Sequence, residues 1–427
     1  MDICVVALGK IGLPLAVQFA AKGHRVRGAD ADERVVELVN AGAEPFPGEA
    51  GLDRALKDAV GAGLLTATAD TAAAVARSEA VVIVVPLVTD PAGDPDFASL
   101  DAATRAVARG LAPGTLVSYE TTLPVGTTRT RWGPMLAEGS GLAPGSGFSL
   151  VFSPERVLTG RVFADLRRYP KLVGGVDAAS ARHGADFYAR VLDFDPRPEL
   201  PRPNGVWDLG SAEAAELAKL AETTYRDVNI ALANQFARFA GRHGIDIAGV
   251  IDACNSQPYS RIHRPGIAVG GHCIPVYPRM YLWNDPDATV VRAAREANAA
   301  MPGYAVELLA AAHGDLTGAR VLVLGAAYRG GVKETAFSGV FPTVAALAAR
   351  GALPLVSDPL YTAAELTALG LTPHRGEPVT AAVLQADHPE YRTLSAADLP
   401  GVRVLVDGRR TTDPARWAGV RRVVIGG

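Results

Sequence analysis

A cysteine follows a glycine-rich run in the segment PGIAVGGHCIPVYP, residues 265–278. Gly270 and Gly271 carry no side chains, so a substrate carbon can come within bonding distance of the Cys273 sulfur. A thiolate there is a nucleophile that forms a covalent adduct with a carbonyl carbon. The alternative is a buried thiol in a glycine turn, and Cys273 taken alone does not decide between the two. We do not expect His272 to activate the thiol, because adjacent side chains usually point apart.

The other two cysteines lie in apolar surroundings. Cys4 is inside a strand-like run and Cys254 inside a helical DACN segment, so we expect both to be small core residues. Three widely spaced cysteines predict neither a disulfide framework nor a Cys-x-x-Cys metal site. We therefore expect no bound metal and a reducing, cytoplasmic setting.

A second chemical motif is VVALGKIGLPLA, residues 5–16, which matches a dinucleotide-binding turn with Ala7 in place of its first glycine. Gly9 lets the backbone approach a pyrophosphate, and Gly12 lets the helix pack closely on the strand. Asp30, about 20 residues on, can accept hydrogen bonds from a ribose 2′-OH and would repel a 2′-phosphate, which favours NAD over NADP. The alternative is a tight turn without a ligand. The residues predicted to contact NAD are Gly9, Lys10, Ile11, Gly12, Asp30, Arg34, Pro86 and Thr121.

The elements that position these residues follow an alternating pattern in the first half of the chain. The strand-like runs ICVVAL, HRVRGAD, AVVIVVP and TLVSYET alternate with alanine-rich helical runs, the first of them over residues 14–21. Runs that are apolar without alternation are typical of a parallel sheet covered on both faces. This βαβ order predicts a doubly wound α/β domain of the Rossmann type.

The pattern changes after about residue 200. A long helical stretch begins after Ser211, the predicted N-cap, and stops at Gly244. From Ala319 onward, strand-like runs and a glycine turn predict a second, smaller Rossmann-like α/β sheet. The predicted domains are residues 1–200, 201–312 and 313–427.

Charge and hydropathy exclude several classes of partner. The 427 residues are 48% hydrophobic and 20% charged, with a formal net charge of −3. A small negative net charge does not attract a protein to nucleic acid or to an anionic membrane. No apolar run reaches membrane-spanning length, and we expect no signal peptide.

Five blocks in order give the whole chain a resemblance to a known family: LGKIGLPLA, ETTLPVGTT, SPERVLTGR, AELAKLAETTYRDVNIALAN and GGHCIP. The chain resembles the nucleotide-sugar 6-dehydrogenases, which include UDP-glucose, GDP-mannose and UDP-N-acetylmannosamine dehydrogenases. The resemblance implies a four-electron oxidation with NAD. A C6 alcohol becomes an aldehyde, the cysteine traps it, a second hydride leaves, and water cleaves the resulting thioester to an acid.

The resemblance also implies catalytic roles. Thr122 would hold a water or the C6 oxygen, Glu155 would transfer protons during thioester hydrolysis, and Lys219 would stabilise the oxyanion. The alternatives are a β-branched residue at a strand end for Thr122, a solvated acid or salt-bridge partner for Glu155, and a lysine extending to solvent for Lys219.

Three positions around the catalytic residues depart from the family pattern. Thr223 replaces an asparagine four residues after the lysine, and Tyr277 replaces an aspartate four residues after the cysteine. A phenol is a poor base at neutral pH, so either Glu155 or another group carries hydrolysis, or the enzyme releases the aldehyde. Thr159 stands where members specific for UDP-glucose carry a second carboxylate, which favours a UDP-N-acetylhexosamine substrate.

The binding site for the sugar nucleotide is predicted to lie in the C-terminal domain and in the loop before the cysteine. Arg329 replaces the family's lysine at the pyrophosphate, and Ala336 replaces an arginine. The residues predicted to contact the substrate are Arg156, Tyr259, Arg261, Gly266, Gly270, Arg329 and Lys333.

The resemblance further implies a central helical domain that carries the lysine and cysteine and forms the core of at least a homodimer, with Arg261 reaching the neighbouring site. The expected partner is a small-molecule nucleotide sugar. Three alternatives remain: an atypical member that stops at the aldehyde or oxidises another hydroxyl, a binding protein without catalysis, and a hydroxyacid or phosphogluconate-type dehydrogenase.

Overall fold

A computed structural model describes residues 1–90 and 93–427. The chain divides into two compact units, Met1–Ala221 and Glu222–Gly427. The boundary falls inside one long helix. The division into three domains stays a prediction.

The first unit contains ten strands among its described residues: β1 (Asp2–Val6), β2 (Arg25–Ala29), β3 (Leu65–Thr68), β4 (Ala80–Ile83), β5 (Val88–Thr89), β6 (Pro95–Asp96), β7 (Leu116–Tyr119), β8 (Ser149–Phe152), β9 (Lys171–Gly175) and β10 (Val206–Ser211). Its α-helices are α1 (Gly12–Ala21), α2 (Glu33–Asn40), α3 (Leu52–Gly61), α4 (Thr71–Val75), α5 (Ala98–Gly110), α6 (Gly133–Ser140), α7 (Val162–Arg168) and α8 (Ala178–Val191). A π-helical turn, Thr128–Trp132, precedes α6.

The large sheet has the strand order β10-β9-β8-β7-β4-β1-β2-β3. Its neighbours are parallel except for the antiparallel pair of β8 and β9, while β5 and β6 form a separate antiparallel pair. The strand order changes direction between β1 and β4, and ligands bind beside the carboxyl ends of the strands at such a point. Ile3, Val5 and Val82 are fully buried in its core, as the unbroken apolar runs predict. The predicted doubly wound domain is confirmed.

Helix α9 (Ala212–Arg242) is the long helix of the sequence prediction. The Ser211 hydroxyl accepts the N–H of Ala214 at 3.1 Å, which confirms Ser211 as the N-cap. Gly244 adopts φ +65° just beyond the last turn, a conformation that glycine reaches without strain.

The second unit contains α10 (Ile247–Cys254), α11 (Tyr277–Asn284), α12 (Thr289–Ala299), α13 (Met301–His313), β11 (Arg320–Leu324), α14 (Val340–Ala348), β12 (Leu353–Ser357), α15 (Ala363–Ala368), β13 (Ala381–Leu384), β14 (Val404–Asp407) and β15 (Arg421–Val424). Short 3₁₀ turns lie at Pro389–Arg392, Ala396–Asp398 and Pro414–Trp417. All neighbours in its sheet, in the order β12-β11-β13-β14-β15, are parallel. The smaller α/β sheet is therefore confirmed. Across the described part of the chain, no helix combines the length and apolar character needed to cross a membrane.

Candidate active site

The two glycines of the turn after β1 have different surroundings and therefore different roles. A Cβ built on Gly12 would lie 1.9 Å from the Ala7 carbonyl oxygen, whereas a Cβ on Gly9 would meet nothing within 4 Å. Gly12 therefore permits the contact between helix and strand, and Gly9 leaves open space above the turn. Ala7 holds φ +73°, the left-handed region that a glycine reaches without strain.

Asp30 follows β2 directly and faces this turn. Its Oδ2 accepts the Leu8 N–H at 2.7 Å, and its Oδ1 accepts the Asp32 N–H at 2.9 Å. Each carboxylate oxygen keeps a further lone pair for a hydroxyl donor. The open space at Gly9 and this anchored carboxylate together fit a dinucleotide with a free 2′-OH.

The other residues predicted to contact NAD surround the same edge of the sheet. Lys10 is exposed and Ile11 half-buried in the turn, while Arg34 is exposed on α2. Pro86 is exposed after β4, and the Thr121 hydroxyl donates to the Val85 carbonyl at 2.6 Å. Because β1, β4 and β7 are parallel neighbours, these segments leave the sheet at one edge.

Next along this edge, a buried cluster of charges surrounds Glu155. The Lys171 ammonium lies 2.6 Å from Oε2 of Glu120 and 3.4 Å from Oε2 of Glu155. The Arg156 N–H donates to Oε1 of Glu155 at 2.6 Å. Glu155 is therefore a salt-bridge partner, one of the alternatives that the sequence left open. Arg156, predicted to contact substrate, directs its guanidinium to the Pro170 carbonyl at 3.3 Å.

Sequence reasoning missed Glu120 and Lys171. Glu120 directly precedes the two threonines of the ETT block, and Lys171 is the one charged residue at the start of the apolar strand KLVGG. The sequence did contain a signal for this pair: a lysine at the start of an apolar strand is buried, and a buried ammonium requires a carboxylate partner.

Thr122 is buried just after β7, in a segment tied to helix α9. Glu216 of α9 accepts hydrogen bonds from the Gly126 N–H, the Thr128 N–H and the Thr128 hydroxyl, at 2.5, 3.0 and 2.6 Å. Burial raises the pKa of Glu216 to about 7, against the effect of these donors. Glu216 therefore ties the segment after Thr122 to the helix that carries Lys219, and sequence reasoning missed it too.

Lys219 itself is only 9% exposed, so the alternative of a lysine extending to solvent is wrong. Thr223 lies one turn further along α9 and is also buried.

In the second unit, Cys273 is exposed, whereas Cys4 is buried and Cys254 is half-buried. Burial raises the pKa of the Cys4 thiol to about 12, which keeps it protonated and inert. The Cys273 carbonyl accepts the N–H groups of Val276 and Tyr277 at 3.2 and 2.9 Å. The buried-thiol alternative for Cys273 is therefore wrong, and Tyr277 begins α11 one turn beyond it.

Gly270 and Gly271 have a packing role in addition to the predicted one. A Cβ on Gly270 would lie 2.7 Å from Cβ of Tyr328 and 2.8 Å from the Phe337 carbonyl oxygen. A Cβ on Gly271 would lie 3.0 Å from the Tyr328 ring. The glycines thus let the segment after β11 pack against the cysteine turn. Contact of Gly270 with substrate stays a prediction.

His272 is exposed, and its Nε2 lies 3.2 Å from a carboxylate oxygen of Glu334. His272 thus pairs with an acid of the segment after β11.

The loop before the cysteine is held by two asparagines of α9 that sequence reasoning missed. Asn229 donates to the Arg261 carbonyl at 2.8 Å, and Asn234 accepts the Gly266 N–H at 2.9 Å. The side chains of Tyr259 and Arg261 are exposed. The helix therefore fixes the backbone of this loop.

The C-terminal candidates have partners within the second unit. Nε of Arg329 donates to the Tyr328 hydroxyl at 3.0 Å, and the Lys333 ammonium pairs with Glu365 of α15. Among the described residues, no group of three or more His, Cys, Asp or Glu side chains could hold a metal ion.

Two models of one protein family match most of the chain. The model of the UDP-glucose/GDP-mannose dehydrogenase family, NAD binding domain, matches residues 1–192, and that family's central-domain model matches residues 213–300. The UDP-N-acetyl-D-mannosamine dehydrogenase of Pyrococcus horikoshii is 34% identical over 419 residues, which cover 96% of this chain and 95% of that protein.

Two solved structures are similar over nearly the full length. The UDP-D-ManNAc dehydrogenase from Pyrococcus horikoshii has a TM-score of 0.88 at 32% identity, with 100% of this chain and 99% of that chain covered. The NDP-N-acetyl-D-galactosaminuronic acid dehydrogenase from Methanosarcina mazei has a TM-score of 0.85 at 27% identity, with 99% and 94% covered. The chain therefore belongs to the UDP-glucose/GDP-mannose dehydrogenase family and is an NAD-dependent oxidoreductase.

Proposed function

We propose that this protein oxidises the C6 hydroxymethyl group of a nucleotide-activated sugar to the carboxylate through a covalent adduct on Cys273. The observation that carries the proposal is the exposure of the Cys273 thiol, beside a glycine turn, while Cys4 is buried in a strand. An oxidation that ends at the aldehyde needs no nucleophilic thiol.

The chemistry proceeds through two oxidations and one hydrolysis. NAD, when bound at the turn after β1, would supply the hydride acceptor for each oxidation. The C6 alcohol loses a proton and a hydride to become the aldehyde, and the Cys273 thiolate adds to the aldehyde carbon to form a thiohemiacetal. Loss of the second hydride gives the thioester. Water then adds to the thioester carbon, the carbon–sulfur bond breaks, and the thiolate is regenerated beside the free carboxylate.

The remaining roles go to the residues for which the resemblance implies them. We assign the proton acceptor for water to Glu155, because its carboxylate is ionically paired and held by a backbone N–H. Lys219 supplies the charge for the oxyanion, and Thr122 supplies a hydroxyl for the C6 oxygen or a water. A phenol is a poor base at neutral pH, so with Tyr277 in the place of a carboxylate the hydrolysis depends on Glu155, and Thr223 offers a single hydroxyl.

The favoured substrate is a UDP-N-acetylhexosamine such as UDP-N-acetylmannosamine. Thr159 removes the second carboxylate expected for UDP-glucose, and the two relatives compared above are named for N-acetylated sugars. The proposed contacts to the sugar nucleotide are Arg156, Tyr259, Arg261, Gly266, Gly270, Arg329 and Lys333. A UDP-glucose 6-dehydrogenase, and a member that releases the aldehyde or oxidises another hydroxyl, are the alternatives.

The test is the amount of NADH formed per sugar nucleotide consumed, with NAD in excess. The donors are UDP-N-acetylmannosamine, UDP-N-acetylglucosamine, UDP-glucose and GDP-mannose. We expect about two NADH per sugar with a UDP-N-acetylhexosamine, since the oxidation removes two hydrides. About one NADH per sugar would show that an aldehyde or ketone leaves, and preference for UDP-glucose would overturn the substrate assignment.

We further propose that a second copy of this chain covers one face of α9. Tyr225, Leu232, Phe236 and Phe239 follow a spacing of seven, four and three residues, which places them on one helical face. Each side chain is between 38% and 58% exposed, and an apolar stripe of this kind marks an interaction surface.

The oligomeric state tests this surface. Phe236→Glu combined with Phe239→Glu is expected to convert a dimer into a monomer by light scattering, because the charges would be buried unpaired. Leu353→Glu, an equally exposed apolar position on β12, is the control and is expected to leave the mass unchanged. A dimer that survives the double substitution would rule out this face.

A further inference from the structure

Glu155 belongs to a connected buried network of five polar side chains. The Tyr188 hydroxyl donates to Oε1 of Glu120 at 2.7 Å and lies 2.7 Å from the Ser118 hydroxyl. The Lys171 ammonium lies over the Tyr188 ring, 4.8 Å from its centroid, and contacts both carboxylates. Glu120 and Tyr188 are fully buried, Lys171 is 5% exposed, and Glu155 is 13% exposed. Glu155 is the member nearest to solvent.

Burying these charged side chains at the edge of the sheet costs desolvation free energy. Moving a carboxylate and an ammonium out of water costs several kcal/mol per ion, and replacing such a pair by apolar side chains is often neutral or stabilising. Glu120 and Lys171 alone would satisfy each other. The second contact of Lys171, to Glu155, joins the buried pair to a candidate proton acceptor.

We propose that Lys171 is a positioning residue that holds the Glu155 carboxylate in place to accept a proton from water, and that Glu120 holds Lys171 from the interior. This inference rests on the proposed function, because the step concerned is thioester hydrolysis. In that step the water O–H bond breaks, the proton passes to Glu155, and the oxygen bonds to the thioester carbon.

The charge count supports the inference. Two carboxylates share one ammonium, so the fully ionised cluster carries one uncompensated negative charge in a buried place. Burial raises the pKa of Glu120 to about 7, with Lys171 acting in the opposite direction and Glu155 adding to the rise. Desolvation lowers the pKa of Lys171, but the two carboxylates outweigh it and the pKa is raised overall. The Lys171 ammonium therefore stays charged and in contact with both carboxylates.

The groups around Glu155 leave room for a water molecule. Glu155 and Lys171 line a cavity of about 10 Å³ together with Arg156, Asp165 and Tyr169, close to the smallest volume that holds one water. Asp165 is engaged elsewhere, since it accepts the Leu158 N–H at 3.1 Å and pairs with Arg161 at 3.2 Å. The other phenol at the cluster, Tyr188, has a pKa well above its usual value because of burial and Glu120, and so stays a donor.

Lys171→Met removes the ammonium that contacts Glu155, so the rate of acid formation is expected to fall about 10-fold or more, within the range that a positioned general base contributes. Lys171→Arg keeps the positive charge and is expected to restore most of that rate. Glu120→Gln keeps a hydrogen-bond acceptor for Lys171 but removes its charge, so a smaller loss is expected.

The experiment measures, in single turnovers at neutral pH, the rate of acid formation and the first burst of NADH for the full chain and each variant. The first burst is expected to change little, because Glu155 acts only in the later hydrolysis. The matched control is Asp101→Asn, which breaks another half-buried ion pair of the same unit, with Arg131 at 2.6 Å, and is expected to leave the rate of acid formation unchanged.

Slower acid formation in Lys171→Met with an unchanged first burst, and recovery in Lys171→Arg, would support the proposal. Equal acid formation in Lys171→Met and in the unmodified protein would overturn it, as would a loss that Lys171→Arg does not restore. If Lys171→Met does not fold, Glu120→Gln decides, because unchanged acid formation in that variant contradicts the proposal. If the unmodified protein releases the aldehyde, the proposed function fails, and this inference fails with it.

Discussion

Replacing Cys273 by serine is expected to reduce acid formation on the order of 10³-fold or more, the scale seen when an enzyme loses its nucleophile, while NADH formation continues at about one per sugar. A serine hydroxyl is far less ionised than a thiol at neutral pH, so the aldehyde is not trapped and leaves after the first hydride transfer. The measurement is the ratio of NADH to sugar together with identification of the oxidised sugar.

Cys254→Ser is the matched control, because Cys254 is half-buried at the end of α10 and has no assigned chemistry. It is expected to form acid at the unmodified rate. If Cys273→Ser also formed acid normally, the thioester route would be wrong and a hydroxyacid-type mechanism without a nucleophile would be favoured.

Gly12→Ala is expected to destabilise the first unit by about 3 kcal/mol, the upper part of the range for an overpacked site. The new methyl group would lie 1.9 Å from a backbone oxygen, that of Ala7, and a backbone atom cannot rotate away as a side chain can. The free energy of unfolding in denaturant measures the effect.

Gly9→Ala is the matched partner and is expected to leave the free energy of unfolding within about 1 kcal/mol of the original, since no atom lies within 4 Å of its new methyl group. The substitution is expected to weaken the binding of NAD, because the pyrophosphate needs the space above the turn. An affinity loss of about 10- to 100-fold is expected, which corresponds to a clash of 1–3 kcal/mol. Calorimetric titration with NAD provides the measurement. Equal effects of the two substitutions on folding and binding would contradict the separate roles.

The sequence by itself determined the local structure and the type of chemistry. The unbroken apolar runs predicted β1, β4 and β7, because a strand covered on both faces has no polar side. Ser211 predicted the start of α9, since its hydroxyl satisfies a free backbone N–H. The glycine spacing at residues 9 and 12 and the thiol at Cys273 were also evident, because each depends on residues close together in the chain.

Only the tertiary structure decided which distant groups share one environment. Lys171 and Glu120 are 51 residues apart in the chain, and Glu216 and Thr128 are 88 apart. No sequence periodicity connects them; the lateral order of strands β7, β8 and β9 brings Lys171, Glu120 and Glu155 together. The packing of Tyr328 against Gly270 is of the same kind. Whether a charge is buried or solvated depends on what covers it, and the covering atoms come from segments far away in sequence.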